Sequence, residues 1–529
     1  MNSTLTLFIL TCCAYGAVGQ AFITTWKTDN PGKSASNQIT IPTKGIGYSY
    51  SIYWEQLDNA TINGTIPGPI TGDYTITFPS PGTYRVSING AFPRIYFFGD
   101  PLITSSPSSD SNKILTIEQW GDIVWTSMAN AFQGCLDLTI PAEDAPNLIQ
   151  VTDMRYMFAS AQSFNQPIDH WDVSHVTDMS LMFAYAKNFN QPLGTWQVNN
   201  VTNMESMFNE AANFNQPIGT WNVSSVTNMG FMFWVAESFN QPIDNWDVSQ
   251  VTSMSGMFAH SSFNQPIATW NVTSVTSMAQ MFNHASSFNQ PIGTWNVGNV
   301  TSMNATFAGA TSFNQSLESW NVGNVTTMHG MFAEASSFDQ PLLTWNVSNV
   351  RDMDWMFYKA SSFNQPLGSW NVSSVLIMNR MLNLSGLDID NYDQTLIGWS
   401  AQNVKDNLIL GAEGLKYCAG EADRAHLITN KGWSITGDSK GCQSGDITLM
   451  PNVITPNGDS KNDSFVIPKF HLYPINTLMV YDRWGQLVYS VGNYDNNWAA
   501  EGLSGGIYFY TLIIDGGRKR IKGWLQVIR

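Results

Sequence analysis

Charge is scarce in this chain. Only 12% of its 529 residues are Asp, Glu, Lys or Arg, and the formal balance is −16. Phosphate backbones are held by clustered Lys and Arg, so this composition argues against a nucleic-acid partner. The one dense basic run, Arg518-Lys519-Arg520 with Lys522, lies between apolar residues and reads as the solvated face of a strand. Catalytic signatures are missing too: there is no HExxH, no GxSxG and no CxxC. His170, His175, His260, His284 and His329 read as lying at different offsets of the repeat described below, so they build no shared site. No catalytic residue, metal ligand or cofactor is expected. No apolar run reaches the roughly 18–20 residues of a membrane span, so the mature chain should carry none.

Cysteine is nearly as scarce. Two of the five, Cys12 and Cys13, fall in residues 5–18, an apolar stretch followed by the small-x-small pattern Ala17-Val18-Gly19. It reads as a signal peptide over 1–19, with the mature chain starting near Gln20. Thr11 and Cys12 precede the two thiols where lipid attachment wants a small residue, so lipidation is disfavoured. Cys418 and Cys442 enclose a short loop, and export favours a disulfide between them worth about 3 kcal/mol. Cys135 has no base beside it and reads as a buried small hydrophobe.

What the chain has in abundance is repetition. Val151-Thr152-Asp153-Met154 returns from Val176, Val201, Val226, Val251, Val275, Val300, Val325, Val350 and Val375. The step is 25 residues, except one of 24 between Val251 and Val275. Each unit reads V-T-x-M-x-x-M-F-x-x-A-x-S-F-N-Q-P-I-x-x-W-N-V-S-x, and such fixed-period self-similarity marks a solenoid. With the Val as position 0, the residues Val 0, Met 3, Met 6, Phe 7 and Ala 10 fall on one face of a short helix, which Thr 1 would cap. Pro 16 stops any helix, and Ile or Leu 17, Trp 20 and Val 22 read as a strand with Asn or Asp 21 facing out. Stacked coils then make a parallel sheet and an internal ladder from Trp171 to Trp370, the expected main source of stability. The Met columns read as core. The recurrent Asn 14 (Asn165, Asn190, Asn215 and onward) reads as satisfying backbone groups at a corner rather than binding a ligand. The short step drops a residue just before Phe263, where a loop absorbs it.

Positions 2, 4, 5, 8 and 9 vary freely and are expected to face solvent. Most hold small or polar residues, so Tyr156, Phe231, Trp234, Trp355 and Tyr358 stand out as candidate exposed recognition residues. Units 151–374 hold 14 acidic and 4 basic residues, a surface suited to broad weak contacts rather than catalysis.

The flanks read as β structure. Residues 20–104 carry short β-branched and aromatic runs, with a hairpin over 74–88 around Ser80-Pro81-Gly82 as the firmest part. That module serves as a spacer or cap in preference to binding glycan. Beyond a polar linker, 111–400 reads as the repeat domain, with divergent first coils over 111–150 and a cap over 401–445. Residues 446–529 hold hairpins around Trp484-Gly485 and Asp515-Gly516-Gly517, the pattern of a β-sandwich. Asn457, Asp459, Asn462 and Asp463 lack EF-hand spacing and read as a polar turn. The expected fold is a right-handed α/β solenoid of roughly 25-residue leucine-rich-like repeats between two β-sandwich modules.

The VTxMxxMF, FNQPI and WNVSxV text over about 111–445 resembles the BspA-like leucine-rich-repeat surface proteins. The exit segment Leu415-Lys416-Tyr417-Cys418 through 432–438 is similar to that family's repeat end. The resemblance implies a bacterial cell-surface or secreted protein associated with adhesion, without identifying the target. The text ITPNGDSKND at 454–463, the VYDRWGQLVY hairpin, Trp498 and GGIYFY resemble the C-terminal sorting domain of Bacteroidetes proteins exported by type IX secretion, the type B or gliding-motility-associated kind. This second resemblance implies a Sec signal, passage through an outer-membrane translocon, and release or attachment at the cell surface, with the secretion machinery as partner. The resulting expectation is an adhesion protein for a protein or glycan on cells or matrix. A structural spacer presenting the N-terminal module is the alternative.

Overall fold

Alternating apolar and polar residues build the N-terminal strands. The computed structural model describes residues 19–97, 108–441, 453–458, 462–467, 476–514 and 519–529. Residues 1–18 of the expected signal peptide, Cys442, Asp459 and residues 515–517 of the expected turn lie outside them. The chain divides into two units, Met1–Val300 and Thr301–Arg529.

In the first unit, β1 (Phe22–Lys27), β2 (Gln38–Ile41), β3 (Ser49–Gln56), β4 (Asn59–Ile70), β5 (Tyr74–Thr77), β6 (Thr83–Ala91) and β7 (Ile114–Gln119) form two sheets, ordered β4-β3-β6-β1-β7 and β2-β5. Phe78, just after β5, stacks on Tyr84 of β6 at 3.9 Å, packing the two sheets together. The expected hairpin over 74–88 is not formed. Strand β5 pairs with β2, and β6 pairs with β1 and β3. The Pro81-Gly82 turn instead carries the chain between sheets, held by Thr28 N–H donating to the Gly82 carbonyl at 2.9 Å. Strand β7 lies beside β1, while its Thr116 also bridges Thr139 in parallel. A boundary at 111 therefore separates β7 from the sheet it completes.

The repeat units form without helix, which corrects the α/β expectation. The segment read as helical is a chain of turns. In the unit from Val151, the amides of Met157, Ala159 and Ala161 donate to the carbonyls of Met154, Tyr156 and Phe158, each three residues back, at 3.0–3.2 Å. The alternate amides of Met154, Tyr156, Phe158 and Ser160 reach Asp178, Ser180, Met182 and Ala184 of the next unit at 2.7–3.1 Å. Isolated parallel bridges link position 2 of successive units, as in Asp153 to Asp178 and Asp178 to Asn203. The parallel pairing thus sits where a helix was expected, and residues 17–22 of each unit form no strand. A chain of turns closing three residues back buries much the same positions as a helix, so burial periodicity does not separate the two. Thr 1 is no helix cap either: the Thr177 hydroxyl donates to the Thr152 carbonyl at 3.1 Å, one unit back.

The columns are inside as expected. Val, Met, Phe and Trp of every regular unit are buried, with the Trp side chains at 4% exposure or less. Each Phe 7 stacks on its own Phe 13 at about 4 Å, as for Phe208 and Phe214 at 3.9 Å. Trp221, Trp246, Trp270 and Trp295 follow at 6.3–6.5 Å with nearly parallel planes. Phe263 keeps its place on Phe239 at 6.1 Å, so the missing residue is absorbed at Ser261-Ser262. Buried Cys135 is a free thiol, raised well above its usual range by desolvation.

The second unit repeats these contacts and then ends them. Bridges join Ser302 to Thr327, Thr327 to Asp352 and Asp352 to Ile377. Here helices do appear: α1 (Ile389–Ser400), β8 (Ile409–Gly411), β9 (Lys416–Tyr417), α2 (Glu421–Lys431), β10 (Ser434–Thr436) and β11 (Ser439–Lys440) close the series. Asp388 caps α1 by accepting from Asn391 N–H at 2.9 Å. Trp399 of α1 still donates to the Leu367 carbonyl at 3.0 Å, the bond its repeat counterparts make. Cys418 is disulfide-bonded, and Cys442, its expected partner, is outside the described residues.

Strands β12 (Val453–Ile454), β13 (Thr477–Tyr481), β14 (Leu487–Gly492), β15 (Gly506–Ile514) and β16 (Lys519–Val527) form one sheet ordered β12-β16-β15-β13-β14. Both expected hairpins are present as strand pairs. Among the described residues the second layer of a sandwich is absent: Phe465, Ile467, Tyr494 and Trp498 cover the inner face from loops. Asp463 closes its polar turn by accepting from the amides of Asn457 and Gly458 at 3.0 and 2.8 Å.

Candidate functional site

Positions 5 and 9 of the units hold left-handed backbone. In the first unit they include Tyr156, Phe231, Gly256, Val235, His260 and His284, with φ between 53° and 62°. Two such residues per coil interrupt any helix. Large side chains at 5, 8 and 9 then reach the surface, while small ones such as Ala159, Ala184 and Ser206 stay covered. There the five candidate aromatics stand half-buried, not fully exposed as expected.

The structure brings them together in pairs. Phe231 and Trp234 lie 5.1 Å apart, and both converge over Gly256, whose missing Cβ is the space that the Phe231 ring fills. Trp234 lies 6.1 Å from His260, and His260 stacks on His284 at 4.7 Å. That stack corrects the reading that the histidines share no offset. His260 and His284 both occupy position 9, because the residue missing from the short step is lost after it. Burial, and then the neighbouring His284, push the His260 imidazole below its ordinary range, against the opposing effect of a hydrogen bond to Asn283. Between Lys187 and Arg351 the chain has no Lys or Arg, so this patch carries no ammonium or guanidinium group of its own. Tyr156 stands apart from it, within electrostatic reach of Tyr185.

The second unit carries a different patch. Trp355 and Tyr358 lie 4.4 Å apart, with the Arg380 guanidinium 4.7 Å over Trp355 and Lys359 5.0 Å over Tyr358. Lys359 also meets Glu334 at 3.2 Å. Beside them the Asp354 carboxyl is raised by burial, and its Oδ1 is a buried acceptor with no hydrogen-bond partner. His329 is 3.8 Å from Asp352. The sequence reading missed Arg380, Lys359, His260 and His284. Their one signal was recurrence at positions 5 and 9.

Three overlapping stretches, 126–243, 216–318 and 288–399, match the family described as "Mycoplasma protein of unknown function, DUF285", together just over half of the chain. The chain belongs to this family. Residues 448–527 match the CHU_C Type IX secretion signal domain. No curated protein and no solved structure matches the chain. The DUF285 repeats therefore sit in a protein with a secretion signal, directed to the cell surface. Among the described residues no helix is long and apolar enough to cross a membrane. Both aromatic patches lie on DUF285 units, at positions where the repeat leaves residue type free.

Proposed function

We propose that this DUF285 protein is a non-catalytic adhesin, a BspA-like surface protein of Bacteroidetes whose repeats stack as a solenoid. Its binding surfaces are the aromatic patches at positions 5, 8 and 9, one within each of the two units of the chain, and the ligand is a protein or glycan on cells or matrix. The observation that carries the reading is the convergence of Phe231, Trp234, His260 and His284 on one patch. Half-buried rings on a hydrogen-bonded backbone are ordered before any ligand arrives, which limits the entropy cost of binding. The test is binding of the secreted protein to cells and matrix with Trp234→Ala and Trp355→Ala, singly and together. Adhesion requires the double variant to lose at least tenfold in binding with its melting temperature retained. Unchanged binding favours the alternative, a spacer that presents the N-terminal module. That alternative draws support from a cavity of about 410 Å³ there, lined by Lys33, Lys44, Asp73, Tyr96 and Asp110.

A further inference from the structure

The outer face of the C-terminal sheet breaks the usual rule for an antiparallel sheet, apolar inside and polar outside. Its inner face is filled by Leu478, Val480, Tyr508, Tyr510, Leu512 and Leu525. Across the outer face, register places Leu487 opposite Tyr481, Tyr481 opposite Phe509, and Phe509 opposite Trp524. Four strands therefore carry one continuous apolar row. Leu487, Phe509 and Trp524 are 46%, 47% and 46% exposed, and Trp484 in the adjoining turn is 83% exposed. A cavity of about 550 Å³ opens at this row, lined by residues including Tyr481, Arg483, Trp484, Phe509 and Lys522. The next rows add Lys522 and Arg520, both exposed. In a chain of net charge −16, an aromatic row rimmed by Arg483, Arg520 and Lys522 against the single carboxylate of Asp482 in the cavity lining is a local reversal of sign.

We infer that this outer face is the surface by which the domain docks onto a protein of the secretion machinery, in an apolar groove with an acidic rim. The inference rests on the secretion-signal assignment and adds to it the face and the chemistry. The domain's other face is used up by its own core, and a row of large apolar side chains left in water is a mark of an interaction surface. The cationic rim supplies what the rest of this acidic chain lacks, attraction toward an acidic partner and a defined orientation on it.

The full chain is produced in a host with a type IX system, and surface display is compared with periplasmic content. Three variants are used: Phe509→Ser with Trp524→Ser, Arg520→Glu with Lys522→Glu, and deletion of 448–527. Circular dichroism and protease resistance of the purified proteins report folding, and the charge variant leaves the apolar row and the core intact. Both face variants are expected to lose display at least tenfold and accumulate in the periplasm while folded. If the deletion is retained but folded face variants reach the surface normally, the docking face is wrong and the secretion assignment stands. If the deletion itself is displayed normally, the secretion assignment fails. Purified chain is also mixed with phosphatidylglycerol vesicles. Vesicle binding that the charge variant abolishes would assign the face to anionic lipid and overturn a protein partner.

Discussion

A Val with a positive φ is unusual, and this repeat makes one. Val235 sits at φ 53° because position 9 must turn left-handed to send its amide to Ala259, 2.8 Å away in the next unit. A left-handed conformation costs a residue with a Cβ roughly 1–2 kcal/mol, and Asn tolerates it better. Val235→Asn should therefore stabilise the protein by about 0.5–1 kcal/mol in denaturant melts. Gly256→Ala should do the reverse by about 1–3 kcal/mol, because its Cβ would enter the space of the Phe231 ring at an equally left-handed position. Protons act at this scale too. His260 has its folded pKa lowered, so the unfolded chain binds the extra proton first as pH falls through the ordinary histidine range. Stability is then present above that range and lost below it. The melting temperature should fall between pH 7.5 and about 5.5, and less so in His260→Asn; identical pH slopes would show that the His260 imidazole carries no such load.

At the scale of the element, one coil is held to the next by side chains that replace missing strand bonds. Asn240 accepts from the backbone amide of Asn264 at 2.9 Å and from the Gln265 amide at 3.2 Å. The same corner is built by Asp339, which accepts from Asn364 N–H at 2.8 Å and Gln365 at 2.9 Å. What the site needs is an acceptor. Asn240→Ala should cost about 1–3 kcal/mol by leaving an amide unpaired, whereas Asn240→Asp should stay within about 1 kcal/mol of the parent. Trp270 illustrates the second device, donating its indole N–H to the Ile243 carbonyl at 3.1 Å. Trp270→Ala should destabilise by roughly 3–5 kcal/mol through the cavity and the lost bond together. Trp270→Phe, which keeps a ring but drops the donor, should cost about 1–3 kcal/mol, read by the same melts.

For the whole molecule, the two aromatic patches differ in charge. Phe231, Trp234, His260 and His284 form a patch without Lys or Arg, while Trp355 and Tyr358 lie under Arg380 and Lys359. Salt should separate them. Raising NaCl from about 0.05 to 0.5 M shortens the screening length severalfold, so binding retained by Trp234→Ala should weaken more than binding retained by Trp355→Ala. Equal weakening would mean that the Arg380 and Lys359 charges take no part in binding.

The repeat period, its buried columns and the corner role of Asn 14 were legible in the sequence because each depends on residue type at a fixed spacing. So were the two C-terminal strand pairs, which their turn residues announce. Helix against turn was not legible, since residues three apart are buried by either. Only contact with the next unit decides it, by drawing alternate amides outward and forcing left-handed backbone at residues such as Tyr156 and Val235. Tertiary structure likewise decided that Phe231 and Trp234 meet over Gly256, and that His260 stacks on His284, because those contacts cross from one unit to the next. Sequence determined what the units are made of; stacking determined which variable side chains share a surface.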